Sequence, residues 1–215
     1  MDTYLSDQEL VEQIKKWLQK NALLLLFALG MGVLIGFIWH RLQVNKESAL
    51  ASASIRYEKL LSDLQQNNPN EVNQAADYLI KRYPQTAYAS LAKLIQAKIA
   101  INQQDLTLAN TKFDWVIEHA KSAPIQQIAR IRKARILIAM NKPEEALELL
   151  KRINEPAFIA LIESVKGDAY TIVKQYDNAR ASYQLALQNL PETQSIRPLI
   201  QMKMDNLPLT YTGNK

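Results

Sequence analysis

Residues 167–191 read GDAYTIVKQYDNARASYQLALQNLP, and the spacing within them decides the fold. Gly167 lies three residues before Tyr170, and Ala179, Tyr183, Ala186 and Pro191 follow at nine, thirteen, sixteen and twenty-one residues beyond that tyrosine. Small residues at these places mark where two helices cross, because only Gly or Ala lets the backbones close, and the large residues fill the space between neighbouring pairs. Thirty-three residues earlier, Ala134, Leu137, Ala146 and Leu150 hold the equivalent positions. Another 37 residues back, Ala97, Ala100, Ala109 and Phe113 hold them again. Three units in phase predict an all-α solenoid of stacked helical hairpins.

The spacing matches the tetratricopeptide signature, a helix pair of about 34 residues. Punctuation repeats with it. Asn141-Lys142-Pro143-Glu144-Glu145 puts proline at a helix start and acids in the first turn, where the helix dipole favours them. Asn154-Glu155-Pro156 opens the next pair, and Gln175-Tyr176-Asp177 turns within the last. A stack needs a polar cap at its end, and residues 195–207, SIRPLIQMKMDNL, form the expected closing helix before a disordered tail at 208–215.

Upstream of the repeats the pattern stays helical. Residues 42–64 contain neither Pro nor Gly, and Ala49, Ala53, Tyr57, Leu60, Leu61 and Leu64 recur at spacings of three and four. Asn67-Asn68-Pro69-Asn70 breaks this run, and a second helix is expected from Glu71 to Arg82. Further back, Ala22–Trp39 reads ALLLLFALGMGVLIGFIW, eighteen residues without a charge. As a helix it is roughly 27 Å long, close to the thickness of a bilayer core. A soluble core helix would carry a polar edge within five turns. A cleaved signal peptide is excluded by the acidic leader and by the position of Ala49-Leu50-Ala51, well beyond Arg41 and Lys46. The expected organisation is therefore an N-terminal leader at 1–20, a transmembrane helix at 21–40, a repeat domain at 41–207 and the tail. In the leader, Leu10, Ile14, Trp17 and Leu18 share one helical face behind Ser6 as N-cap, which suits an amphipathic helix at the lipid surface. Within the span, Ala28, Gly32 and Gly36 recur every four residues and would admit another helix closely.

Composition narrows the function. The chain has 215 residues, a net charge of +5 and no cysteine, which excludes a disulfide framework and a thiol nucleophile. Of its 5 glycines, Gly30, Gly32 and Gly36 lie in the span, so no phosphate-cradling loop is available. His40 and His119 are the two histidines and cannot assemble a metal site or a triad, so no cofactor is expected. Arg130, Arg132, Lys133 and Arg135 form the densest basic cluster, which wraps around one helix without interleaved aromatics and argues against nucleic acid. Three Lys/Arg precede the span and two follow it within fifteen residues, but a window of twenty reverses the bias, so charge does not set the orientation.

Binding remains. In such stacks the first helix of each pair lines a concave groove. The repeat phase points Leu91, Leu94, Lys98 and Ile101, then Ile128, Ile131, Arg135 and Ile138, then Leu161, Asp168 and Ile172 into it. That wall is apolar enough to accept an extended or helical segment, with Lys98 and Arg135 available for a carboxylate. In this reading Glu at Leu94 or Ile131 weakens capture with little loss of helicity. The alternative is that helix 42–66 folds back and covers the groove as core.

Four stretches, DQELVEQIKKWLQKN, IGFIWHRLQVNKESALASASIRYEKL, VKGDAY and LIQMKMDNL, together with the architecture, resemble the YfgM family, ancillary subunits of the bacterial SecYEG translocon. The resemblance covers nearly the whole chain and transfers no catalytic residue. It implies a non-enzymatic, single-pass inner-membrane protein with its amino terminus in the cytoplasm and its repeats in the periplasm. The implied partners are the SecYEG translocon, a membrane-anchored periplasmic chaperone of the peptidyl-prolyl isomerase type, exported client proteins and the lipid bilayer. A scaffold that regulates the stability of a signalling protein in an envelope stress response is the alternative role.

Overall fold

The computed structural model of the chain describes residues 7–66, 68–153 and 155–208, and no strand occurs among them. Nine α-helices follow in order: α1 Asp7–Gln65, α2 Pro69–Arg82, α3 Ala87–Asn102, α4 Leu106–His119, α5 Ala123–Ala139, α6 Pro143–Lys151, α7 Ile159–Ile172, α8 Tyr176–Gln188 and α9 Arg197–Asp205. A 3₁₀ turn at Pro156–Phe158 leads into α7. The Ser6 cap, the Leu10 side chain, Asn67, Asn154 and the tail beyond Pro208 lie outside the described residues.

The chain divides into two compact units at Ala51 and Ser52. In the first unit, the apolar side chains of α1 are bare, with Leu23 85% and Trp39 72% exposed. Water tolerates no such continuous patch, and a helical backbone can satisfy its own hydrogen bonds in lipid. Among the described residues only α1, over Leu26–Gln65, is long and apolar enough to cross a membrane. Gly30, Gly32 and Gly36 have nothing within 4 Å of the place where a Cβ would sit.

The second unit is the stack. Its first layer joins Ala53 and Leu60, from the end of α1, to Val72, Ala76 and Leu79 of α2 and to Ala92 and Ile99 of α3. Tyr57 packs on Tyr88 with ring centroids 5.4 Å apart, and Arg56 lies over the Tyr78 ring. Next come the hairpins α3–α4, α5–α6 and α7–α8, each also touching its successor. The repeat positions read from the sequence are the core. Ala97, Ala109, Phe113, Ala134, Ala146, Leu150, Ala179, Tyr183 and Ala186 are all buried. Each layer loses water from its apolar face only because the next covers it.

Several boundaries differ from the sequence expectation by a few residues, each for a local reason. Helix α2 begins at Pro69, not Glu71, because proline lacks only an N–H that the first turn leaves unpaired anyway. The same logic starts α6 at Pro143 and places Pro198 in the first turn of α9. The final pair turns at 173–175, leaving Tyr176 and Asp177 as the first turn of α8.

Inside each hairpin the turn is built alike. Gln104, Asn141 and Lys174 adopt φ of 62°, 60° and 60°, and they are spaced by the repeat itself. In each case the next N–H reaches back into the preceding helix: Asp105 to the Ala100 carbonyl at 2.9 Å, Lys142 to Leu137 at 2.8 Å and Gln175 to Tyr170 at 2.9 Å. This left-handed helix stop satisfies carbonyls that the last turn would otherwise orphan. Glycine is the usual occupant, and its absence here stores strain. Lys174→Gly and Gln104→Gly should each stabilise the chain by about 0.5–1 kcal/mol, and Asn141→Gly by less because Asn tolerates this conformation. Urea unfolding followed by circular dichroism reads the order.

Gly167 shows why the crossing residues must be small. A Cβ there would lie 2.5 Å from Cδ1 and 2.8 Å from Cζ of the buried Tyr183 ring. In the two earlier repeats the matching pairs are Ala134 with Leu150 and Ala97 with Phe113. Alanine favours helix over glycine by about 1 kcal/mol, but overpacking a ring of this kind costs about 1–3 kcal/mol, so Gly167→Ala is expected to destabilise. Adding Tyr183→Leu, which recreates the Ala134–Leu150 pair, should recover part of the loss in a thermal-melt double-mutant cycle.

Candidate partner-binding surface

A cavity of about 380 Å³ lies between α3, α4 and α5, lined by Leu94, Lys98, Ile101, Phe113, Arg132, Arg135 and Ile136. Leu94, Phe113 and Ile136 belong to the buried cluster of this layer and form the floor. Ile101, Lys98, Arg132 and Arg135 are exposed and form the rim. Arg132 and Arg135 share a face of α5 because residues three apart are helical neighbours, and Lys98 meets them from α3. No residue of the end of α1, 52–65, lines this cavity. Ala53 and Leu60 pack instead with α2 and with the Ala92–Ile99 face of α3.

Four of the groove residues read from the sequence, Leu94, Lys98, Ile101 and Arg135, therefore come together. Others are used differently. Ile131 is buried in the second core cluster with Leu137, Leu150 and Val165, and Ile138 and Leu161 pack at its edge. Leu91 packs on the cluster of Leu94, Phe113 and Ile136, Ile128 is half-buried and Ile172 is exposed. Glutamate at Leu94 or Ile131 would therefore bury a charge and cost helicity, contrary to the sequence expectation. The reason is that α5 touches α4, α6 and α7, so neighbouring layers consume part of the face that a single repeat would leave open.

Arg132 and Arg135 also correct the reading of the basic cluster. Lys133 is held by Asp114 of α4 and Arg130 donates to the Gln127 side chain at 3.0 Å, but the other two converge with Lys98 across the cavity. Periodicity along α5 could have paired Arg132 with Arg135. Their meeting with Lys98 needed the α3–α5 packing. His119 ends α4, its ring stacked on Trp115 at 4.6 Å and its Nδ1 2.9 Å from the Trp115 carbonyl oxygen. The Lys93 ammonium also lies over that tryptophan, 5.2 Å from the ring centroid. Burial, reinforced by the nearby Lys112, pushes the Lys93 pKa down.

Asp168 is occupied within the domain. Its Oδ1 accepts from the Tyr183 hydroxyl at 2.8 Å, and the Lys203 ammonium donates to Oδ1 and Oδ2 at 2.7 and 2.9 Å. This fixes α9 to the last hairpin. Arg197 adds a second clasp, donating to the Leu187 and Leu190 carbonyls at 2.7 and 3.0 Å at the end of α8. Helix α9 thus stands where another repeat would begin and closes the stack.

An all-α stack of tetratricopeptide-like hairpins, carrying a cation-rimmed cavity and preceded by one bare apolar helix, defines the class. The family described as a tetratricopeptide repeat-like domain matches residues 15–209. A protein of Neisseria gonorrhoeae named ancillary SecYEG translocon subunit is 30% identical over 96% of this chain and 100% of its own length. Proteins of the same name from Aggregatibacter actinomycetemcomitans and Escherichia coli are 28% and 23% identical, over 94% and 97% of this chain and 97% and 100% of theirs. The chain belongs to this tetratricopeptide-repeat-like family of ancillary SecYEG translocon subunits. Among solved structures, residues 41 to the end of MamA from Desulfovibrio magneticus RS-1 align with a TM-score of 0.53 at 19% identity, covering 71% of this chain and 85% of that one. That likeness shows the fold.

The Asp168 cluster gives a pH test. Burial of the Tyr183 ring, with the Asp168 carboxylate adding to it against the opposing Thr171 bond, raises the hydroxyl pKa above its ordinary value of 10.0. The folded state then holds this proton more tightly than the unfolded chain. The stabilisation is complete below about pH 10 and is lost as pH climbs towards the raised value. Tyr183→Phe should cost about 1.5–3 kcal/mol at neutral pH by deleting the bond to the carboxylate, yet its Tm should fall less steeply than wild type above about pH 10.

Proposed function

We propose that this chain is a membrane-tethered adaptor of the protein-export machinery, whose repeat domain holds other polypeptides beside a SecYEG-type translocon. The observation that carries the reading is the extent of the match. The Neisseria relative aligns over 96% of this chain and all of its own length, so tether and stack occur together in a protein bearing that name. The bare apolar face of α1 supports attachment to a lipid bilayer as a single-pass inner-membrane protein. Repeat stacks present a rigid, extended surface suited to holding polypeptide rather than transforming it, and the reading assigns no reaction to the chain.

In its finer form the proposal places the amino terminus in the cytoplasm and the repeats in the periplasm. There they would meet newly exported clients and a membrane-anchored chaperone of the peptidyl-prolyl isomerase type. Ala28, Gly32 and Gly36 would offer the intramembrane contact, and the cavity beside Lys98 and Arg135 the soluble one.

A photoreactive amino acid at Ile101, and another at Gly36, should give adducts with SecYEG subunits or with the isomerase in intact cells. Adducts with neither from either position would overturn the adaptor reading. Protease added to spheroplasts should trim the repeats. Protection until the membrane is lysed would reverse the proposed orientation.

A further inference from the structure

We infer that the cavity between α3, α4 and α5 docks an acidic segment of a partner protein, seating one large apolar side chain on its floor between flanking carboxylates. The inference rests on the adaptor reading and adds the chemistry of what is held. Three observations select this occupant. The floor of Leu94, Phe113 and Ile136 is buried core, and Ile101 extends it to the surface at 36% exposure, so an apolar side chain completes the layer as a further repeat residue would. Around it stand Lys98, Arg132 and Arg135, and among the described residues none of the three makes an ion pair or a side-chain hydrogen bond. No acidic residue lines the cavity, so the three positive charges face it uncompensated.

The contrast with the neighbouring surface is direct. A second cavity, beside α6, is lined by Glu144, Glu145 and Glu148 as well as Lys133 and Arg152, and it is compensated within the chain. Lys142 pairs with Glu145 at 3.0 Å, Lys151 with Glu148 at 2.5 Å, and Lys133 with Asp114. Beside α6 the stack places acids among its bases. Across Lys98, Arg132 and Arg135 it left the balance to a ligand, and the two guanidinium groups suit carboxylates geometrically. The apolar floor makes a free inorganic anion a poor occupant, because such an ion would leave the floor against water.

The full chain in phosphatidylcholine nanodiscs tests this with a fluorescent twelve-residue peptide that carries four Glu around a central Phe. Gln-for-Glu and Ala-for-Phe analogues serve as comparisons. At low salt the acidic peptide should bind about tenfold more tightly than either analogue, and the preference over the Gln form should fade as salt rises. Each of Lys98→Gln, Arg132→Gln and Arg135→Gln should weaken the acidic peptide by about threefold, and the triple variant should lose the preference. These side chains are exposed, so thermal melts should match wild type, and the salt titration reads the same charges without any substitution. Equal binding of the Gln analogue, or a triple variant that still prefers Glu, would overturn the inference. So would displacement of the peptide by phosphatidylglycerol vesicles but not by phosphatidylcholine vesicles, which would assign the cations to lipid. Continued crosslinking from Ile101 to the translocon, with no acidic preference, would sink this inference and leave the adaptor reading standing.

Discussion

The stack depends on how closely two helices can approach where they cross. At Gly167 the Tyr183 ring occupies the space a Cβ would need, and in the earlier repeats Ala134 and Ala97 stand at the same place with Leu150 and Phe113 as partners. The sum of small and large is roughly conserved in volume while its division shifts, as close packing requires. A larger residue on the small side would push the hairpin apart, and the next layer would lose the surface it covers. Because each layer is covered only by its neighbours, that local constraint propagates along the stack.

Glycine illustrates how position sets meaning. Gly167 is small because a ring lies against it, whereas Gly30, Gly32 and Gly36 have open space around them. In the stack the neighbour is part of the same chain. In α1 no described part of the chain fills that place. At the turn residues, where glycine would relieve a left-handed backbone, the chain uses Gln104, Asn141 and Lys174 instead. At Gln104 and Lys174 regular turn geometry is therefore imposed by the hairpins on residues that do not prefer it, a tertiary constraint overriding local propensity.

This explains what the sequence disclosed. Repeat phase was legible because buried small and large residues recur at fixed spacing, and the apolar run at 22–39 was legible by length alone. The three left-handed turns were hidden because no glycine marks them. Four of the seven residues that line the cavity were legible: Leu94, Lys98, Ile101 and Arg135 follow from helix phase. Ile131 was misassigned because phase within one repeat says nothing about how much of a face the following hairpin covers. Arg132 was missed for the complementary reason, since its partner in space is Lys98, on a helix more than thirty residues away. Asp168, read as a groove residue, is instead engaged by Lys203 of α9, a contact that no periodicity could foretell.

The closing helix and the cavity can be understood together. Lys203 and Asp168 neutralise one another where α9 ends the stack, and Lys166 pairs with Glu163 on α7, so the last hairpin presents few uncompensated charges on that side. An unpaired cation at a wet surface costs little to keep, because water solvates it, but it forgoes the attraction that a partner would supply. Terminating the stack with a paired helix and leaving Lys98, Arg132 and Arg135 unpaired in its middle therefore separates two tasks. The end pairs Lys203 with Asp168 inside the chain, while Leu199 and Met202 of α9 stay exposed. The middle keeps a positive field over a buried apolar floor, and that combination discriminates among segments by charge before it holds one by contact.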